Sequence, residues 1–342
     1  MHVENLSNLG VLALPSFTRD DREVAVVIAQ ASFDLPRRIG DAPTSCDEQP
    51  EPAVIDAYFG KPGRSSLRRE GQSTYHRPGT DVCVHGSAWA PRGRPAIWVG
   101  VKVRVGTLER QALVFGDRRF IAGGGRVVPS APAPFERIPL IYEHAFGGDP
   151  KLVAEADRAL AEHNPVGRGL YVDESAALDQ PLANIEDSEA LVQSPADRPQ
   201  PVGFGPIARH WQPRRGFAGT YDEDWLDHRA PFWPADMDER MFCASAPGLT
   251  ATPWLVGGEP VEIYGLHPDG AARFELPRLR LQAEFRAQQQ VQQRALVLDA
   301  VTIDCEAWRL EMIWRASVDA EHGPMSFDAI TLQVVETWEA MA

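Results

Sequence analysis

The sequence predicts a mainly β protein of two closely packed β-rich lobes, sandwich- or barrel-like, with long ordered loops and little helix. Three observations predict it. Apolar residues alternate with period two in several segments, helical stripes are scarce, and the Pro- and Gly-rich tracts between strands also carry many aromatic rings.

The elements follow in order. "EVAVVIAQASFDL", from Glu23, is a β-branched run expected to form a buried strand. "TDVCVHGSAWAP" alternates through Val82, Val84 and Gly86. "AIWVGVKVRVG" places Val99, Val101, Val103 and Val105 on one face, with Gly100, Lys102 and Arg104 on the other. That is a half-buried strand with one wet face. "GTLERQALVFG" returns from it, so the two should form a hairpin. "AGGGRVVPS" reads as a wide turn between strands. Toward the C-terminus, "EPVEIYGLHPDGAARFELP" has Val261 and Ile263 alternating with acids before a turn at Pro268 and Gly270. "VTIDCEAWRLEMIWRASV" turns near Cys305–Ala307 and returns through Leu310, Met312 and Trp314, a second hairpin.

Helix is expected in two places. "DPKLVAEADRALAEH" can be capped by Asp149 with Pro150 at the first helical position. A short turn is expected around "PADMDERMF", with Asp236 as its cap. "RAQQQVQQRA" reads as a loop or an interrupted strand end. The chain has 29 Pro and 28 Gly in all, and the region from about 164 to 252 reads mostly as Pro- and Gly-rich tract, yet carries Phe204, Trp211, Phe217, Tyr221, Trp225, Phe232, Trp233 and Phe242. Disordered segments are poor in rings, so these are ordered loops pinned on a β scaffold. The expected division is an N-terminal β-rich lobe, 1–150, and a loop-rich connector with a C-terminal β-rich lobe, 151–342, with one integrated domain as the alternative.

A net charge of −14, from 34 basic and 48 acidic residues, argues against nucleic acid and against an anionic membrane surface. The longest early apolar run, "VAVVIAQA", is far short of the about 20 residues that span a bilayer. The start, "MHVENLSNLG", has no basic or apolar leader region, so a cytoplasmic protein is expected. Cys46, Cys83, Cys243 and Cys305 never pair as C-x-x-C, and buried free thiols, with two long-range disulfides as the alternative, are expected in place of a zinc site.

No spacing demands catalysis. Ser87 lacks a nucleophile elbow. Cys83 and His85 share one strand face, but both positions read as structural. No metal-ligand spacing occurs, and no cofactor is expected. The acids of "GTYDEDWLDH" read as a solvated loop. Glu143 and Asp222 are a carboxylate pair that could do acid/base work on a sugar. The favoured reading makes Tyr142, Glu143 and Asp222 a structural polar corner, because an unpaired buried acid is costly.

The motif series "HRPGTDVCVHGSAWAP", "FGDRRF", "PFERIPLIYEHAFGG", "NPVGRG", "PVGFGPIARHWQPRRGFAGTYDEDW" and "LDAVTIDCEAWRLEMIWR" resembles a bacterial family labelled as a domain of unknown function, whose genes stand beside type VI secretion spike, PAAR-like and effector genes. The resemblance runs from about Val24 to Trp314. Arg77 stands where that family's pattern has Lys, and His144 where it has Arg. The resemblance implies an adaptor or chaperone without chemistry of its own, which stabilises a type VI effector, often PAAR-like, and helps load it on the spike. A carbohydrate-active enzyme or sugar-binding module using Glu143 and Asp222 is the alternative. Trp211, Arg214, Arg215, Phe217, Tyr221 and Trp225 are the candidate partner-binding residues, since Trp, Tyr and Arg are enriched in binding hot spots. An exposed strand edge is a second way to take a client.

Overall fold

A computed structural model describes residues 2–148, 161–268, 270–287, 290–320, 323 and 327–337. The protein is mainly β. The largest sheet orders its strands Thr250–Ala251, Thr80–His85, Val297–Asp304, Arg309–Asp319, Glu23–Asp34 and Gly10–Phe17, with Thr44–Ser45 also on Glu23–Asp34. Its pairs are antiparallel except Val297–Asp304 with Thr80–His85. A second, antiparallel sheet runs Ile185–Glu186, Leu108–Phe115, Trp98–Val105, Pro260–Tyr264, Ala271–Glu275. A third runs His2–Asn5, Ala329–Thr337, Leu279–Ala287, Gln290–Ala295. None closes into a barrel. All three sheets combine strands from both sides of residue 150 or from both termini, so sheet membership does not divide the chain there.

The alternation read from the sequence decides which faces meet. Val99, Val101, Val103 and Val105 are buried, with Lys102 and Arg104 half-buried beside them. They join Val261, Ile263, Leu281 and Phe285 against Ala25, Val27, Ala29, Val82, Val84, Val301, Ile303 and Met312 of the largest sheet. Each fully buried aliphatic chain contributes about 1.5–3 kcal/mol, so this sandwich is the main apolar core. Both predicted hairpins form, with Leu108 opposite Val105 and Ile303 opposite Leu310.

Glu23–Asp34 is buried on both faces. Its odd residues enter the sandwich. Val24, Val26 and Ile28 enter a second cluster with Tyr75, Met237, Met241 and Phe242. The loops therefore form a layer over the sheet's outer face, held by rings such as the buried Trp211, Tyr75 and Phe242.

Several local expectations change. "RAQQQVQQRA" continues as strand, since Gln290–Ala295 pairs along Leu279–Ala287. The turn in "PADMDERMF" is Glu239–Phe242, and Asp238 caps it by accepting from Arg240 N; Asp236 is engaged by Thr220 instead. The "AGGG" turn is tight, not wide. Gly124 and Gly125 take φ of 61° and 78° between Gly123 and Arg126, the left-handed pair that a two-residue hairpin turn requires. The helix expected over 149–163 lies almost wholly outside the described residues. The α-helices among those residues are Glu174–Ala177 and Glu223–His228, and no helix there is long and apolar enough to cross a membrane.

Candidate functional site

Strand register builds a polar surface on the loop-facing side of the largest sheet. Asp81, Ala300, Ile313 and Gln30 lie in one row across four strands. Cys83, Thr302, Glu311 and Ser32 form the next, and His85, Asp304, Arg309 and Asp34 the one after. A register shift between Leu298 and Ala300 brings Asp299 to this same face, where it meets Arg315.

Three arginines and three carboxylates are buried together here: Arg77, Arg214, Arg315, Glu70, Asp81 and Asp299 are each 4% exposed or less. Arg77 donates to Phe242 O at 3.0 Å, Gln72 Oε1 at 2.8 Å and Asp299 Oδ1 at 3.3 Å, and lies 3.5 Å from Asp81. Arg315 donates to Asp299 at 2.5 Å and to Thr74 O at 2.6 Å. Arg214 joins Glu70 at 2.6 Å and the carbonyls of Ile207 and Met241. Asp81 accepts from Ala244 N at 2.6 Å and Ser245 Oγ at 2.9 Å. The charges of the six cancel, which removes the largest penalty of burying them. Burial would raise the Glu70 carboxyl, but Arg214, Arg77 and Arg209 outweigh it and hold it low. Asp81 goes the other way: burial raises it, and Arg77 only partly offsets this.

Beside this cluster a crevice opens between the sheet and the Leu67–Arg69 strand. An outer cavity of about 190 Å³ is lined by Ala57, Arg68, Arg69, His85, Thr302, Asp304 and Glu311. A narrower inner cavity shares Arg68, Arg69, His85, Thr302 and Glu311 and reaches Gln30, Cys83 and Glu70. Burial lowers the His85 imidazole and raises the Glu311 carboxyl. It also raises the Cys83 thiol, so this cysteine is held as an inert neutral group.

The residues singled out from sequence have separate fates. Tyr142–His144 forms a short 3-10 turn. Tyr142 is buried and packs edge-on against Trp211, with centroids 5.6 Å apart. Glu143 accepts from Ser66 N at 2.8 Å and Ser66 Oγ at 2.6 Å. Asn164 donates to the carbonyls of Tyr142 and Phe146, and Arg168 to that of Glu143. Asp222 does not share this corner's bonds. It caps the Glu223–His228 helix by accepting from Trp225 N at 2.9 Å. Both carboxylates of the proposed sugar-directed pair are thus already accepting hydrogen bonds from this chain, by different elements.

Among the partner-binding candidates, Trp211 and Arg214 are corrected: they lie in the core, Trp211 against Tyr142 and Arg214 in the charge cluster, because the loop folds inward there. Phe217 is half-buried under the Arg240 guanidinium, 4.3 Å above its ring. Arg215 is exposed and paired with Glu162 at 2.7 Å. Tyr221 and Trp225 stack edge-on at 4.6 Å on the outside. Ser87 is buried and donates to Glu306 at 2.6 Å. Among the described residues no group of three or more His, Cys, Asp or Glu is arranged to hold a metal.

The reading of the sequence missed Glu70, Gln72, Asp299, Glu311 and Arg315. A signal existed for two of them. Asp299 in "LVLDAV" and Arg315 in "MIWRAS" interrupt otherwise apolar strands, and a charge there must find an opposite charge.

No curated protein and no solved structure matches the chain significantly. A family model, described as "Uncharacterized protein conserved in bacteria (DUF2169)", matches residues 20–315, most of the sequence, and the chain belongs to that family.

Proposed function

We propose that this chain is a cytoplasmic adaptor that binds and stabilises a type VI secretion effector or PAAR-like protein and helps deliver it to the spike, without chemistry of its own. The motif series supports the reading, and one surface feature carries it physically. The Glu223–His228 helix buries none of its residues. Its Trp225 lies edge-on to Tyr221 and donates its indole N–H to Phe232 O, and Phe232 lies edge-on to Phe17 at 5.3 Å, so these rings form one strip, with Leu226 exposed on the same helix. Tyr221 is 51% exposed, Leu226 63% and Phe17 41%. Contiguous apolar surface on a folded chain marks an interaction site. Asp222, Glu223, Asp224 and Asp227 flank it and are exposed, so a client surface that is apolar at its centre and basic at its rim fits best.

The test is co-expression with the effector or PAAR-like protein encoded beside it. The client is expected to be soluble and to co-purify only when this chain is present. Tyr221→Ala with Trp225→Ala is expected to weaken capture while leaving the adaptor folded. A client equally soluble and equally secreted without this chain would overturn the proposal.

A further inference from the structure

The crevice beside the charge cluster contains polar groups that the fold does not use. Gln30 is 4% exposed and lines the inner cavity, and its side-chain amide has no hydrogen-bond partner among the described residues. Its amide atoms are not sealed off, so they face the inner cavity and are open to water or to a ligand there. Thr302, across the same space, makes no side-chain hydrogen bond among those residues either. Glu311 is half-buried with no ion pair within 4.0 Å among them. Arg69, on the opposing strand, is exposed and equally unpaired. Arg69 is the strongest charge acting on Glu311, yet the two do not touch. They hold opposite charge on facing walls of one crevice.

The other charged groups there are settled. Arg68 pairs with Asp304 at 3.8 Å, and burial keeps His85 toward its neutral form. The lining Arg68 and Arg69 balance Asp304 and Glu311, so the crevice has no net charge to favour a lone anion or a lone cation. A volume of about 190 Å³ has room for several waters or a small molecule. It is smaller than the roughly 300–1,000 Å³ of a drug-sized site.

We propose that this crevice binds a small zwitterion of the α-amino acid class, with its ammonium on Glu311, its carboxylate on Arg69 and Thr302 adding a polar contact, while Gln30 lies in the adjoining inner cavity. A neutral ligand with separated charges gains two charge-assisted hydrogen bonds without adding net charge to a partly buried site. Arg69 belongs to the Ala57–Tyr58/Leu67–Arg69 hairpin and Glu311 to the largest sheet. The ligand therefore bridges the loop layer to the scaffold.

Isothermal titration calorimetry on the full chain tests this, with glycine as the first probe, longer α-amino acids next, and methylamine and acetate as single-charge controls. Glycine or a longer amino acid is expected to bind where neither control does. Glu311→Gln and Arg69→Ala are each expected to weaken binding at least tenfold. Arg69 is exposed, so its variant keeps the test valid if the Glu311 variant unfolds. Acetate or methylamine binding as well as the amino acid would make the crevice a simple ion site and overturn the proposal. So would no binding at millimolar concentration, or unchanged binding by Arg69→Ala.

Discussion

Replacing Asp299 by Asn keeps its shape and removes one of the three buried negative charges. Arg77 and Arg315 both contact this carboxylate, at 3.3 and 2.5 Å. After the change, three buried guanidiniums face Glu70 and Asp81 alone, and one positive charge is left uncompensated. Breaking a buried pair from one side costs about 3–5 kcal/mol. Domains of this kind have about 5–15 kcal/mol of total stability, so about a fifth or more of it is at stake. Urea unfolding followed by tryptophan fluorescence reads this directly. At a slope of about 3 kcal/mol per molar, the midpoint should fall by about 1–2 M. The control is Arg22→Ala, which breaks an Arg22–Asp319 pair whose side chains are 56% and 55% exposed. That loss should stay within about 0.2–1 kcal/mol. Adding Arg315→Met to Asp299→Asn restores the charge balance, and the double variant should be less destabilised than the sum of the singles. If Asp299→Asn costs no more than Arg22→Ala, the cluster is not an interlocked network and the reasoning fails.

Three further outcomes are expected. Gly203→Ala would set its Cβ 2.2 Å from Cζ of Tyr142; thermal melting should show a loss of about 1–3 kcal/mol or more, and an unchanged melt would show that the ring can move aside. Burial raises the Glu311 carboxyl in the folded state, above its unfolded value of about 4.3, so ionised Glu311 costs stability at neutral pH and the cost fades as pH falls through the folded value. Glu311→Gln should thus be more stable than the parent at pH 7 and equal to it below about pH 4, by urea midpoints; a less stable variant at pH 7 contradicts the assignment. Burial raises the Cys83 and Cys305 thiols, so a disulfide reagent at mildly alkaline pH should modify them only in denaturant, and rapid labelling of the native chain would contradict their burial.

The strands were legible because burial on one face and water on the other impose period two, as in Val99 to Val105. Both hairpins followed from that pattern and their turns. The loop layer was legible only as ordered, because rings require burial, while its direction was hidden. Nothing local in "ARHWQPRRGF" tells that Trp211 and Arg214 turn inward while Arg215 turns out. That is decided by Glu70, 144 positions earlier, which takes Arg214. Asp222 could not be placed either, because capping a helix and joining the Glu143 corner need the same residue type. Where the sequence did carry a signal, at Asp299 and Arg315, it was a violation of pattern. A charge inside an apolar strand identifies a partner's existence but not its position.

The placement of the charges explains why such a cluster is retained when apolar residues could fill the same space. The segments it joins, around Glu70, Arg77, Ile207, Arg214 and Met241, have almost no regular structure of their own. Apolar contact alone would let such loops slide over the sheet, because hydrophobic burial has no direction. Guanidiniums that donate to the carbonyls of Ile207, Met241, Phe242 and Thr74 permit one register only. The same loop layer carries Tyr221, Trp225 and Phe232 outward on its far side. Loosening the cluster without unfolding the sheet should therefore reach the exposed strip. An Arg214→Met chain that keeps its β circular dichroism is expected to lose client capture, whereas full capture by that chain would show that the strip is positioned independently of the buried charges.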